Sequence, residues 1–298
     1  MSRASVLTDG QWARIQPLLP SSAGQRGRPF RDDRRVVEGI IYRYRFGIAW
    51  RDVPTEFGPW QTIWKRHRRY SGDGTWDSIL AALLTVADAR GEVDWSISVD
   101  PTSTAPTFLA PQGACSNYMN LIAEPDDHAI GRSRGGLSTK IHALVDGKGR
   151  PLVLLVAPGQ GGDAPMFTHL MNQLKITRAG PGRPRTRPDR VRGDKAYSSK
   201  AIRTHLRDRG IIGVIPHPSD QIGHRKRRGS TGGRPPAFDK EDYKRRHVVE
   251  RNFNIFKQWR ALATRYDKLA LTYRGGAVLQ AMSIWLTALG ERPSSGQK

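Results

Sequence analysis

The apolar positions change period once along the chain, near Gly91. Before it they recur at helical spacing. Leu7, Trp12, Ile15 and Leu18 line one side of a short helix that Thr8 or Asp9 caps. Val36, Val37, Ile40 and Ile41 define a second helix, which Gly47 ends as a left-handed C′ residue. A turn carrying Trp50, Val53, Pro54, Phe57 and Gly58 leads into a third helix with a basic second half, and residues 76–89 form a fourth. This outlines an all-α domain over 1–90 with a helix-turn-helix-like layout.

After Gly91 the pattern alternates. Residues 94–100 read as a strand ending in Asp100, and residues 101–127 as a loop. Two strands, 138–145 and 152–156, flank a hairpin turn at 146–149. A helix starts at Asp163, read as its N-cap, and runs to about Leu174. A basic, Pro-rich linker covers 177–190, and a buried strand over 189–193 opens onto a second acid, Asp194. Ser198 and Ser199 cap a helix over 200–209, and an apolar strand occupies 211–216. Residues 217–239 have no hydrophobic period and read as a loop. Two helices close the domain, one from Tyr243 and one over 272–289, giving a second domain over 91–290 and a disordered tail over 291–298.

Charge narrows the partner. With 49 Lys and Arg against 27 Asp and Glu, the chain carries +22, an excess that a polyanion such as double-stranded DNA would neutralise. No signal peptide or apolar run of about 18 residues points to a membrane, and a lone Cys115 fits a reducing cytoplasm. The basic residues cluster at Lys65, Arg66, Arg68 and Arg69, at Arg132 and Arg134 beside Gly135 and Gly136, and at Arg225, Lys226, Arg227 and Arg228. An Arg-Gly-Arg-Pro run at 26–29 matches the core of a minor-groove hook, but solvated linkers also have this composition.

One stretch organises the chemistry. Tyr243, Arg246, Glu250 and Lys257 lie at offsets of three, four and seven, which at about 100° per residue puts them within roughly 60° of one helical face. Val248, Val249, Phe253, Ile255 and Phe256 form the expected core stripe behind them. A surface helix with i,i+4 ion pairs has the same spacing, so Glu250 needs partners. Asp100 and Asp194 supply them. A strand-first mixed α/β layout with two strand-end aspartates and a helix-borne glutamate resembles the ribonuclease H-like fold. Three carboxylates can hold two Mg²⁺ ions, or Mn²⁺ in their place, about 3.5–4 Å apart for in-line attack on a phosphodiester.

The segments SVDPT around Asp100, AIGRSRGGLSTKIH from Ala129, RGDKAYSS around Asp194 and RHVVERNFNIFKQWR around Glu250 resemble the DDE transposases of bacterial insertion sequences, specifically the insertion-sequence-five family. Its Y-x2-R-x3-E-x6-K signature is met by Tyr243, Arg246, Glu250 and Lys257. The resemblance implies a metal-binding catalytic triad of Asp100, Asp194 and Glu250. It also implies DNA contacts by Arg246 and Lys257 near the cut, and by analogy a homodimer on DNA; Lys195 and Tyr243 beside the acids are further candidate DNA contacts. The chain departs from the family at residues 105–113, where APTFLAPQG replaces a run with His and Gln. Two other readings compete: a DNA-binding remnant without catalysis, and a structure-selective nuclease on the same fold.

Overall fold

A computed structural model of the chain describes residues 6–21, 32–106 and 124–290. The Arg-Gly-Arg-Pro run, Cys115, the tail and most of the departure at 105–113 lie outside the described residues. Four helices come first: α1 (Asp9–Ile15), α2 (Asp33–Phe46), α3 (Trp60–Gly72) and α4 (Thr75–Ala89). Thr8 and Gln11 close a capping box on α1, and Gly47 ends α2 at φ 66°, as the pattern predicts.

The second part runs β1 (Ser96–Thr104), β2 (Gly131–Ser133), β3 (Gly136–Val145), β4 (Pro151–Pro158), α5 (Asp163–Gln173), β5 (Arg190–Arg192), α6 (Lys200–Asp208) and β6 (Ile212–Val214). It ends with α7 (Ser219–Arg227), α8 (Lys240–Lys244), α9 (His247–Lys257), α10 (Arg260–Ala263) and α11 (Ala270–Gly290). β1 is central. On one side it pairs antiparallel with β3, from Ser98 opposite Val145 to Thr104 opposite Thr139. On the other it pairs parallel with β5, from Ser96 opposite Arg190 to Ser98 opposite Arg192. β4 lies antiparallel beyond β3, β6 lies parallel beyond β5, and β2 folds back onto β3. The fold is therefore mixed α/β and ribonuclease H-like, preceded by a helical region.

Several local expectations are corrected. β1 does not stop at Asp100: β3 continues to supply hydrogen-bonding partners as far as Thr104. The stretch expected to be a loop at 217–239 contains α7. That helix buries none of its residues, so it has no apolar stripe to read; Gln221 ties it to Ser198 through two hydrogen bonds of 3.0 and 2.9 Å. The helix expected from Tyr243 is two helices with a turn at Arg245 and Arg246. Ile255 is 40% exposed and does not belong to the core stripe. Asp163 is not the N-cap of α5; that residue is Gly162, and the Asp163 carboxylate accepts from Lys140 Nζ at 2.8 Å.

One hydrophobic cluster joins the two parts across residue 90. It contains Ile40, Tyr44, Trp76 and Leu83 from the first helices together with Tyr273, Leu279 and Trp285 from α11. The Gly275–Gly276 pair in α11 leaves room for Ser71 and Tyr44, which a Cβ at either position would strike. Glu124 accepts from the backbone N–H groups of Ala270 and Leu271 at 2.6 and 2.9 Å, capping α11 from a distant segment. Among the described residues, no helix is long and apolar enough to cross a membrane.

Candidate active site

Register brings the two aspartates together. The last parallel pair is Ser98 with Arg192, so Asp100 and Asp194 each stand two residues beyond it, on the same face of neighbouring strands. Asp194 leaves the sheet there and caps a 3-10 turn, Lys195–Tyr197, by accepting from Ala196 N at 2.8 Å. Asp100 stays inside its strand at the point where its parallel neighbour ends. α9 packs on β1 and β3 through its buried stripe of Val248, Val249, Phe253 and Phe256, which turns Glu250 outward, its side chain 59% exposed.

Arg246 connects the helix to the sheet. Its Nη1 donates to Asp100 Oδ2 and its Nη2 to Glu250 Oε1, each at 2.7 Å. Its guanidinium lies 5.8 Å from the Tyr243 ring centroid, and that ring packs 5.3 Å from Phe238. Burial pushes the Asp100 carboxyl up to about 6; Arg246 opposes the rise, and the charges of Asp194 and Glu250 add to it. The three acids therefore share one electrostatic site. Among the described residues, however, no group of three or more His, Cys, Asp or Glu side chains converges tightly enough to hold a metal ion. Asp100 and Glu250, both bonded to Arg246, and Asp194 carry hard carboxylate oxygens, the donor type that suits Mg²⁺ or Mn²⁺.

Asp242 is a supporting residue that the sequence did not flag. It is buried and accepts from Arg192 Nη2 at 2.6 Å and from Arg190 Nη1 at 2.9 Å. Burial works against its charge, but both guanidiniums hold its carboxyl below the ordinary range. The clamp fixes the end of β5, and so Asp194, to the α8–α9 segment that carries Glu250. A buried Asp beside a Tyr has no sequence signature; only the arginines alternating along β5 hint at it. On the opposite face of the sheet, His142 is fully buried with neither ring nitrogen bonded, and Tyr197 is buried with an unbonded hydroxyl. Burial lowers the imidazole to about 4 and raises the phenol.

The expected DNA contacts divide by exposure. Arg132 and Arg134 are exposed on the β2–β3 hairpin, Lys195 next to Asp194, and Lys257 at the end of α9. Lys226, Arg227 and Arg228 are exposed on α7 and its end, with Arg225 partly covered. On α3, Lys65 and Arg69 face outward and Arg68 lies 5.6 Å from the Trp64 ring. Arg66 does not belong with them. It is 7% exposed, ion-paired to Asp33 and bonded to the Tyr70 hydroxyl at 3.1 Å, so its charge is directed into the helical core.

Comparison with known proteins gives the family. Residues 7–80 match the family described as "Putative transposase of IS4/5 family", and residues 114–284 match "Transposase DDE domain". The two matches leave 81–113 uncovered, so Asp100 rests on its geometry. The chain is 33% identical over 150 residues to a putative transposase for insertion sequence element IS6501 of Brucella ovis, covering 50% of this chain and 99% of that protein. It is 31% identical over 139 residues to a putative transposase for insertion sequence element IS402 of Burkholderia cepacia, covering 47% and 57%. Among solved structures, the Mos1 transposase paired-end complex with left transposon end covers 90% of this chain and 82% of its own at 12% identity. Its TM-score is 0.26, too low an overlap to argue from. Transposases with this domain use divalent metal ions and cleave and join DNA strands. With its DDE-domain match spanning more than half the sequence, the chain belongs to the DDE transposases of insertion sequences, enzymes that catalyse DNA cleavage and strand transfer.

Proposed function

We propose that Asp100, Asp194 and Glu250 are the metal-holding acids of this transposase and that two Mg²⁺ ions, or Mn²⁺ in their place, bind there. The carrying observation is that one guanidinium, Arg246, bridges Asp100 and Glu250 while register sets Asp194 beside Asp100. Bound divalent ions supply an activated water or 3′-hydroxyl and stabilise the leaving oxygen. The chain's own residues do the rest. Asp100 and Asp194 hold the sheet side of the site and Glu250 the helix side, with Asp242 fixing the distance between them. When Arg246 turns from the carboxylates, it meets the DNA phosphates with the same fork. Arg132, Arg134, Lys195, Tyr243 and Lys257 border the path of the element's end, and Lys65, Arg68 and Arg69 of the helical region contact DNA farther away.

Because two ends are joined in concert, the active form on this reading is a homodimer on DNA, working on the nucleoid in the cytoplasm. The test is incubation of a labelled element-end duplex with Mg²⁺, alongside Glu250→Ala and Asp194→Ala. Metal-dependent nicking at the terminus by the wild type, lost in both variants with end binding kept, is the expected result. Retained strand transfer in Asp194→Ala would remove that residue from the mechanism. Binding without cutting by the wild type, in Mg²⁺ and in Mn²⁺, would leave a DNA-binding remnant.

A further inference from the structure

The turn that Asp194 caps leads directly into a second basic feature. Four residues on, Ser198 opens the wall of a groove of about 1140 Å³, bounded by α6, the edge strand β6 and the segment from α7 to Asp239. Six cations line it: Lys200, Arg203, Arg207, Arg225, Arg228 and Arg234. A single acid, Asp239, faces them, and its carboxylate already accepts from the backbone of Glu241 and Asp242 to cap α8. Arg203 is partly buried and donates only to neutral oxygens, Ser198 Oγ and Ile215 O, both at 2.9 Å. Among the described residues it has no ion pair. Burial, and after it the charges of Arg203 and Arg225, push the neighbouring His217 imidazole down.

Among the described residues only Arg207 of the six has an ion pair, with Asp208 at 3.8 Å, and a polyanion relieves the repulsion among the rest. The lining contains no Phe, Tyr or Trp, the large rings on which bases stack; its only aromatic rings are those of His217 and His224. It offers guanidinium and ammonium groups, and the contacts these make to phosphates carry no sequence information. We propose that this groove is a phosphodiester-backbone channel, holding a stretch of DNA adjacent to the strand at the catalytic acids, independently of its sequence. This rests on the transposase reading above and adds a second binding surface to it.

The test is DNA binding in EDTA, so that cleavage plays no part. Anisotropy titrations with an element-end duplex and with an unrelated duplex of equal length are run between about 50 and 200 mM salt. The variant is Arg207→Glu/Arg225→Glu/Arg228→Glu, and the control Lys175→Glu/Arg178→Glu/Arg183→Glu makes the same charge change outside the groove. The groove variant is expected to lose at least about tenfold in affinity for both duplexes, with a log–log salt slope shallower by about 3. The control should change less than about threefold. Equal losses in both variants, an unchanged slope, or a loss confined to the element end each overturn the proposal. A glutamine triple at the same groove positions, checked by thermal melting, separates misfolding from lost contacts and should give the same slope change. If the wild type binds with the expected slope but never cuts, the enzyme reading falls and the channel stands.

Discussion

Arg43 on α2 and Asp267 before α11 are 224 residues apart in the chain, yet Arg43 Nη1 meets Asp267 Oδ2 at 2.7 Å with both side chains under 5% exposed. The Tyr44 hydroxyl lies 2.9 Å from the same carboxylate oxygen and 2.9 Å from His67 Nε2. Trp76 Nε1 donates to His67 Nδ1 at 3.2 Å, which leaves the imidazole proton on Nε2, toward Tyr44 and the Thr272 carbonyl. This network joins the helical region to the catalytic part.

Asp267→Ala leaves Arg43 buried without its counter-ion, a loss of about 3–5 kcal/mol in urea unfolding at pH 7. Burial opposes the Asp267 charge, but Arg43, His67 and Tyr44 hold the carboxyl below its ordinary value. Its contribution is therefore complete above the ordinary carboxylate range and lost as pH falls through the lowered value. The variant should lack that part of the acid dependence. An Asp267→Ala protein as stable as the wild type would show that the pair contributes nothing.

His67 gives a second acid-side term. Burial lowers its imidazole from 6.5 to about 4, so the folded state carries it neutral and loses stability as pH drops from 6.5 toward 4. That amounts to about 3 kcal/mol. His67→Gln should flatten the unfolding profile across this window, whatever its effect at neutral pH.

For Asp100 the sign reverses. Its carboxyl rises to about 6, so stability is greatest while it is protonated and falls as pH climbs from 3.8 through 6. Asp100→Asn removes a penalty of up to about 3 kcal/mol. The variant's melting temperature relative to the wild type should therefore increase between pH 4 and 6 and then level off. A difference that stays flat across that range would contradict a desolvated carboxylate.

Arg246 competes with the ion it will meet. Removing the fork in Arg246→Ala frees Asp100 and Glu250, and partly exposed pairs of this kind are worth up to about 1 kcal/mol. Calorimetric titration of the DNA-free protein with Mn²⁺ should show tightening of up to about fivefold, while cleavage of an element end declines because the phosphate contact is gone. Weaker Mn²⁺ binding would mean that Arg246 organises the acids instead of occupying their space.

Gly276 sets two effects against each other. Alanine there gains about 1 kcal/mol of helix propensity, but its Cβ runs into the Tyr44 ring, which the Asp267 network holds in place. Overpacking costs about 1–3 kcal/mol, so Gly276→Ala should be net destabilising, read as a lower urea midpoint with an unchanged slope.

Local pattern made part of this molecule legible. The caps at Thr8 and Gly47, the strands bearing Asp100 and Asp194 and the helix bearing Glu250 follow from period and turn chemistry. Pairing is a long-range choice, and so β1 running on to Thr104 and the fold-back of β2 left no mark on their own segments. α7 was invisible because an exposed helix needs no apolar stripe. Arg66 shows the limit for charge: its neighbours Lys65 and Arg69 look the same in sequence, and its burial against Asp33 and Tyr70 marks it as structural. Asp242 was silent because it sits in no motif, and His142, although it ends the AIGRSRGGLSTKIH segment, alternates along β3 like any strand residue.

The helix that completes the core is made late. α4 ends at residue 89 and α11 begins at residue 270, so at about 5–20 residues per second the ribosome needs roughly 10–35 s to deliver the missing partner. Throughout that interval α2, α3 and α4 pack on one another, but the apolar surface they bury against α11 stays open and Arg43 waits for its carboxylate. Each newly made copy therefore passes through a sticky adolescence, which slower translation would lengthen.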